Sequence, residues 1–141
     1  MSQPAAIVQR LHAALEAGAH GEELRGHFTA NAVTIEHPNL IKPNGATTSL
    51  EGILANSTAG VGMLREQRYD VVDIVESGDT AIVRLTWTGV IGQTIGPFVV
   101  GQVLIAHIAQ FVRVEDDRIA SIETSDCYKP IASPIEVVRL R

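Results

Sequence analysis

The chain has 141 residues, a net charge of −5, a 45% apolar fraction and one cysteine. Its length supports a single domain, residues 1–141, with its own core. An acidic balance without charge runs argues against a nucleic-acid binder and against an anionic membrane surface. The single cysteine, Cys127, excludes an intrachain disulfide and fits a reducing cytosol. The apolar runs are broken by His, Gln and Gly, so none spans a bilayer. Met1–Ala6 lacks the basic and apolar segments of a signal peptide, and a cytoplasmic protein is expected.

In chain order, Ile7, Leu11, Ala14 and Leu15 recur at helical spacing and predict a helix over Pro4–Ala17, with proline in its first turn and Gly18 as its stop. Glu22–Phe28 reads as a short second helix. Ala32–Pro38 reads as a strand in which Val33, Ile35 and His37 share the apolar face, and Thr34 and Glu36 the other. Asn39–Thr48 carries Pro43 and Asn44-Gly45 and reads as a loop. Thr48-Ser49-Leu50-Glu51 matches a capping box for a third helix, with Thr48 as cap and Glu51 reaching back; a break is expected at Gly60–Gly62. Four strands in meander order follow. They are Arg68–Ser77, Thr80–Ile91, Val99–Val114 and Arg118–Tyr128, the last two joined by an acidic turn at Glu115–Asp117. Lys129–Arg141 reads as a C-terminal tail. This order implies an α+β fold, with helices on one face of a curved sheet and an apolar cavity between them, the default place for a small ligand.

Strand phase singles out the candidates. His37 falls on the apolar side of its strand, and an imidazole with a pKa of about 6.5 exchanges protons near neutrality; the plainer reading is a buried neutral histidine. Asp126 shares phase with Ile122, Thr124 and Tyr128, and on an inward face it would be paired, raised in pKa or at a wet mouth; the plainer reading is a strand end in solvent. If the two meet, they form an acid–base dyad. Gln110 facing inward would donate to a substrate carbonyl, with His107 on the outer face. Trp87, on the Val83–Leu85 face, lines either the cavity or plain core. Tyr128 sits at the cavity mouth or packs as a terminal residue. Cys127 is opposite in phase to Asp126 and reads as structural. The five histidines show no paired ligand spacing, and HExxH, CxxC, GxGxxG and P-loop motifs are absent, so neither metal nor cofactor is expected.

Several strings resemble the nuclear transport factor 2-like superfamily, in its SnoaL-like and ketosteroid isomerase-like branches, over Ala5 to about Tyr128. Ile7–Leu11 with Ala13–Gly18 is similar to an isomerase first helix. Ala32–Pro38 is similar to the family's first strand, and Phe111–Ile119 to the hairpin before its last strand. The resemblance implies a cone-shaped, antiparallel or mixed sheet packed against three N-terminal helices. The isomerases place a general-base aspartate before the strand-one proline, where this chain has His37. Their oxyanion-donating tyrosine matches Leu11, and their protonated aspartate, a standard example of a raised carboxyl pKa, matches Gln110. The resemblance therefore carries the fold but not the isomerase residues. SnoaL-like cyclases carry an ionisable last-strand residue where Asp126 stands. The superfamily's epoxide hydrolases use an Asp-Arg-Asp set, of which Arg84 and Asp126 would be members, although Arg84 is opposite Trp87 in phase.

Together these readings lead to a small-molecule-binding protein. One version is a cofactor-independent isomerase or cyclase acting on an apolar carbonyl compound through His37 and Asp126, with Gln110, Trp87, Tyr128 and Leu11 around the substrate. The other is a non-catalytic ligand-binding or assembly domain. Val103, Ile105, Ala109 and Phe111 make the outer sheet face too apolar for water and lead to an expected homodimer.

Overall fold

The computed structural model describes residues 3–130; of the expected tail, only Lys129 and Pro130 fall within that range. The first helix, α1, runs over Pro4–Glu16. It closes in a Schellman motif: Gly18 adopts φ 90°, Ala19 N–H bonds Ala14 O at 2.9 Å, and Gly18 N–H bonds Leu15 O at 3.1 Å. A 3₁₀ helix, Gly21–His27, stands where the second helix was expected. Strands β1 (Phe28–Glu36) and β2 (Ala46–Ser49) follow, then α2 (Leu50–Met63), then β3 (Leu64–Ser77), β4 (Thr80–Ile91), β5 (Val103–Glu115) and β6 (Arg118–Tyr128).

The six strands form one mixed sheet in the order β2-β1-β6-β5-β4-β3. The meander from β3 to β6 is antiparallel throughout, whereas β1 joins β6 in parallel. The acidic turn is tight because Asp116 and Asp117 both take left-handed conformations, φ 52° and 61°, as a two-residue hairpin turn with matching twist requires.

The helices do not all precede the sheet, as the resemblance implied: α2 follows two strands. Thr48 belongs to β2, and Ser49 occupies the N-cap without a side-chain cap bond. Glu51 instead takes the Arg25 guanidinium in two bonds of 2.9 and 3.0 Å. The expected break at Gly60–Gly62 is also absent. These glycines lie in the last turn of α2, where their conformational cost disrupts little, and Gly60 O caps the turn by accepting from Leu64 N–H.

The core lies between the helices and the inner sheet face. Ile7, Val8 and Leu11 of α1 and Leu54 of α2 meet Val83, Leu85, Ala106, Ile108, Val112 and Ile119 of the sheet. Alternation along β5 is strict. Leu104, Ala106, Ile108, Val112 and Val114 are buried, while Val103, His107, Ala109, Phe111 and Arg113 are exposed. A second cluster of Ile91, Phe98 and Leu104 closes one end of the sheet around Trp87. Gly89 makes room there, since a Cβ at that position would come within 2.4 Å of the Trp87 ring.

Candidate functional site

A cavity of about 340 Å³ opens between the inner sheet face and the helices. Leu11, Leu15, Leu24, Phe28, Ile53, Leu64 and Ile122 give it an apolar lining. Polar side chains make up much of the rest. His12 projects from α1, Tyr69 and Gln67 from β3, and Asn56 and Ser57 from α2. Across the floor runs a polar row set by strand register: Glu36 of β1 pairs with Thr124 of β6, which pairs with Gln110 of β5. All three face the cavity.

Glu36 is fixed by the loop that follows it. Asn39 Nδ2 donates to Glu36 Oε2 at 2.8 Å and to His37 O at 3.0 Å. Asn39 Oδ1 accepts from the backbone N–H of Ile41 and Lys42. Lys42 Nζ lies 3.5 Å from Glu36 Oε1. Gly45 closes this loop at φ 67°, where a Cβ would stand 2.5 Å from Glu36 O.

Asp126 lies one alternation beyond Thr124 on the same face of β6, paired across with Ile108. Thr124 Oγ1–H donates to Asp126 Oδ1. Burial pushes the Asp126 carboxyl above the usual carboxylate range; the Thr124 hydrogen bond opposes this, and the charge of Glu36 adds to it. Tyr128, two residues on, stacks edge-to-face with Trp87 at 6.4 Å between ring centres. Its hydroxyl is pushed well up by burial and by Asp126 and Glu36. Trp87 Nε1–H donates to Gln67 Oε1 at 2.9 Å, and Tyr69 Oη–H donates to the same oxygen at 3.2 Å. Trp87 is thus tied into the wall behind the cavity instead of lining it.

The geometry corrects the expected phase of β1. Thr34 and Glu36 face the cavity, so His37 points the other way. Its Nε2 meets Glu123 Oε2 at 2.6 Å, with the two side chains 47% and 49% exposed. Asp126 takes its hydrogen bond from Thr124, and no His37–Asp126 dyad forms. Arg84 is exposed, in register with Ala109 on the outward side, and is not part of an Asp-Arg-Asp set with Asp126. Leu11 and Gln110 line the cavity, and His107 is outward and exposed. Cys127 is an exposed free thiol.

The residue missing from the sequence-based site is His12. It is 6% exposed and stacks on Tyr69 with ring centres 4.4 Å apart and planes 11° apart. Burial lowers its pKa, opposed by the neighbouring Gln110 side chain and by the charge of Glu16. Its position was legible, since it lies four residues after Val8 and three before Leu15 on the apolar stripe of α1. Among the described residues no group of three or more His, Cys, Asp or Glu is placed to hold a metal ion.

The architecture is that of the NTF2-like proteins. It superposes on an NTF2-like protein from Burkholderia thailandensis E264 with a TM-score of 0.67 and 20% identity, over 89% of this chain and 92% of that one. Within that class, the family model described as "SnoaL-like domain" matches residues 8–122, and the chain belongs to this family. Two further solved structures share the fold. One is IdmH, a candidate polyketide cyclase from Streptomyces antibioticus (TM-score 0.73, 24% identity, 89% of this chain and 92% of that one). The other is AclR, a candidate hydroxylase from Streptomyces galilaeus (TM-score 0.69, 17% identity, 97% and 80%). No curated protein matches the sequence. Among the described residues no helix is long and apolar enough to cross a membrane.

Proposed function

We propose that this protein binds a small, mostly apolar carbonyl compound in the cavity and moves a proton on it without a cofactor, as an isomerase or cyclase would. The observation that carries this reading is the polar row Glu36–Thr124–Gln110 on the cavity floor, with Asp126 hydrogen-bonded to Thr124 just beyond the lining. Gln110 supplies an amide donor for the carbonyl oxygen. Asp126 is the acid–base group: its raised pKa brings proton uptake and release closer to neutrality. Glu36, held by Asn39 and Lys42, keeps a second carboxylate next to it. Two carboxyls whose surroundings differ in this way are suited to divided roles. His37 has no part in this scheme, because its side chain lies on the other face. The cyclase name of IdmH is in keeping with such chemistry.

A thermal-shift screen against ring ketones and polyketide-like aromatics, followed by a turnover assay on any hit, tests the reading. A ligand that binds only the native state raises the midpoint by mass action. Gln110→Leu should weaken the hit, and Asp126→Asn should lower turnover about 100-fold or more. Full turnover in Asp126→Asn would overturn the assignment. A specific observation favours the non-catalytic alternative: Glu36 already spends both carboxylate oxygens on Asn39 and Lys42. In that case a hit would bind with no product formed.

The outer sheet face supports a second part of the proposal, a homodimer. Val72, Val75, Val103 and Phe111 are exposed there, from 49% to 59%. Several such side chains on one sheet call for cover, and a second copy of the same face supplies it.

A further inference from the structure

The fold fixes the orientation of the Gln67 side chain and leaves its donors under-used. An indole N–H can only donate. Trp87 Nε1–H therefore settles which end of the Gln67 amide faces it: the oxygen, at 2.9 Å. The Tyr69 hydroxyl donates to the same oxygen at 3.2 Å. Trp87 is itself held edge-to-face by Tyr128, and the Tyr69 backbone N–H donates to Glu16 Oε2 at 2.8 Å. A flipped amide would turn its N–H groups onto the indole N–H.

The nitrogen end is the opposite case. Nε2 carries two N–H donors. One reaches Leu15 O at a long 3.4 Å, and that carbonyl already accepts from Gly18 N–H at 3.1 Å. The other has no partner among the described residues. Holding Trp87 and Tyr69 needs only an acceptor, which a carboxylate would supply equally; the amide adds a donor that the fold does not use. Gln67 is half-buried and lines the cavity, so this donor stands at the wall of a ligand-sized space. Its place relative to Gln110 follows from register. Gln67 pairs with Gly89, and Gly89 with Leu104 on β5, six positions before Gln110. The two amides therefore enter the cavity well apart along the strands.

We propose that Gln67 Nε2 donates to a second acceptor oxygen of the ligand, across the cavity from the one that Gln110 takes. This rests on the reading of the cavity as a site for a carbonyl compound. It narrows the chemical class within that reading: a compact apolar body of about two fused rings with an acceptor oxygen toward each end, as in a diketone. Such a ligand is selected over the monoketone of the same body. The contact is a hydrogen bond, and no covalent bond is made or broken.

Calorimetric titration of the full-length protein with trans-decalin-2,6-dione and with trans-2-decalone tests the proposal. The two probes share one body and differ by one acceptor. The wild type should bind the dione about ten-fold more tightly, which is what one added hydrogen bond supplies. Gln67→Leu removes the donor and should erase this advantage while still binding the monoketone. Equal binding of the two probes by the wild type overturns the inference and leaves the carbonyl reading standing, as does an advantage that survives in Gln67→Leu. Binding of neither probe overturns the carbonyl reading and the inference with it. If Gln67→Leu does not fold, the indole N–H resonance of the wild type decides. Trp87 is the one tryptophan of the chain, and the saturated probes carry no ring current that would shift its signal directly. The signal should move with the dione and not with the monoketone, because donation from Nε2 polarises the amide oxygen that the indole holds. A signal that stays in place with the dione, or moves alike with both probes, overturns the assignment.

Discussion

The two faces of the sheet are built from the same strands by alternate residues, and both are rich in apolar side chains. On β5, Ala106, Ile108 and Val112 look inward and are buried under the helices; Val103 and Phe111 look outward and are half exposed. The difference is one of cover and not of composition. The inner face is sealed by α1 and α2 except at the cavity, and there it carries its polar row. The outer face carries its polar groups at the surface, as the His37–Glu123 pair and Arg113–Glu115 do. Polarity is therefore informative on the inner face, where it is costly, and ordinary on the outer one.

The largest expected effect breaks the inner face. Leu85 is 1% exposed, and Leu85→Ala should cost about 2–5 kcal/mol in chemical denaturation. Its outward neighbour Ile82 should lose far less on truncation to alanine if that face meets water, within about 0.5 kcal/mol. If the face is instead covered by a second copy, the cost of Ile82→Ala should grow and the midpoint should depend on protein concentration. Phe111→Arg sharpens the contrast. It places a charge in the middle of the outer face and should turn a dimeric mass by light scattering into a monomeric one, with the inner core intact. A wild-type protein that is already monomeric at micromolar concentration would remove the homodimer from the proposal.

The comparison also explains what could be read from the sequence. The hairpins β3–β4 and β5–β6 were legible because strand alternation and turn chemistry agree there, down to the paired aspartates of the last turn. The parallel pairing of β1 with β6 and the four-residue β2 carry no such local mark. β1 failed in phase for a physical reason. Val33 and Ile35 look like the buried side, yet Thr34 and Glu36 face the cavity. An amphipathic reading assigns the apolar set inward, and a binding site inverts that rule where polar groups are needed inside. His37 followed Val33 and Ile35 to the wrong side. Asp126 shares its strand phase with Ile122 and Thr124, which line the cavity, whereas the sequence pattern puts the neighbouring Glu36 on the opposite face. His12 lies on the apolar stripe of α1, where helical spacing alone marks it as core and not as a group on the cavity wall.

A smaller effect, dependent on pH, separates two titratable groups, the buried His12 and the half-buried Asp126. Burial holds the His12 pKa below its ordinary value of 6.5. The unfolded chain then binds more protons than the native state just below that pH, so stability falls as pH drops from about 6.5 toward the lowered native pKa. Asp126 acts in the opposite sense. Its native pKa is raised above 3.8, so the unfolded chain sheds its proton first, and stability falls as pH rises from about 3.8 through the native value. Asp126→Asn removes a carboxylate disfavoured at neutral pH and should raise the melting midpoint at pH 7 by more than at pH 4. His12→Phe should flatten the loss of stability as pH drops below about 6.5. A midpoint lowered at pH 7 in Asp126→Asn would mean that its bond from Thr124 outweighs its burial.

The smallest effect is expected at His37, and it is the sharpest test of the face assignment. The sequence pattern puts this imidazole in the pocket; the fold puts it against Glu123, with about half of each side chain in water. A side-chain contact so placed contributes little, since solvent screens it and two mobile side chains must be held together. Its backbone bond, from His37 N–H to Thr124 O at 3.0 Å, survives any substitution except proline. His37→Ala should therefore leave the melting midpoint within about a degree and probe affinity within about two-fold. Gln110→Leu, one strand beyond Thr124 and on the other face, should lower affinity under the same conditions. If His37→Ala weakens binding as much as Gln110→Leu does, the ligand sits on the outer face, and the polar row beneath α1 is structural.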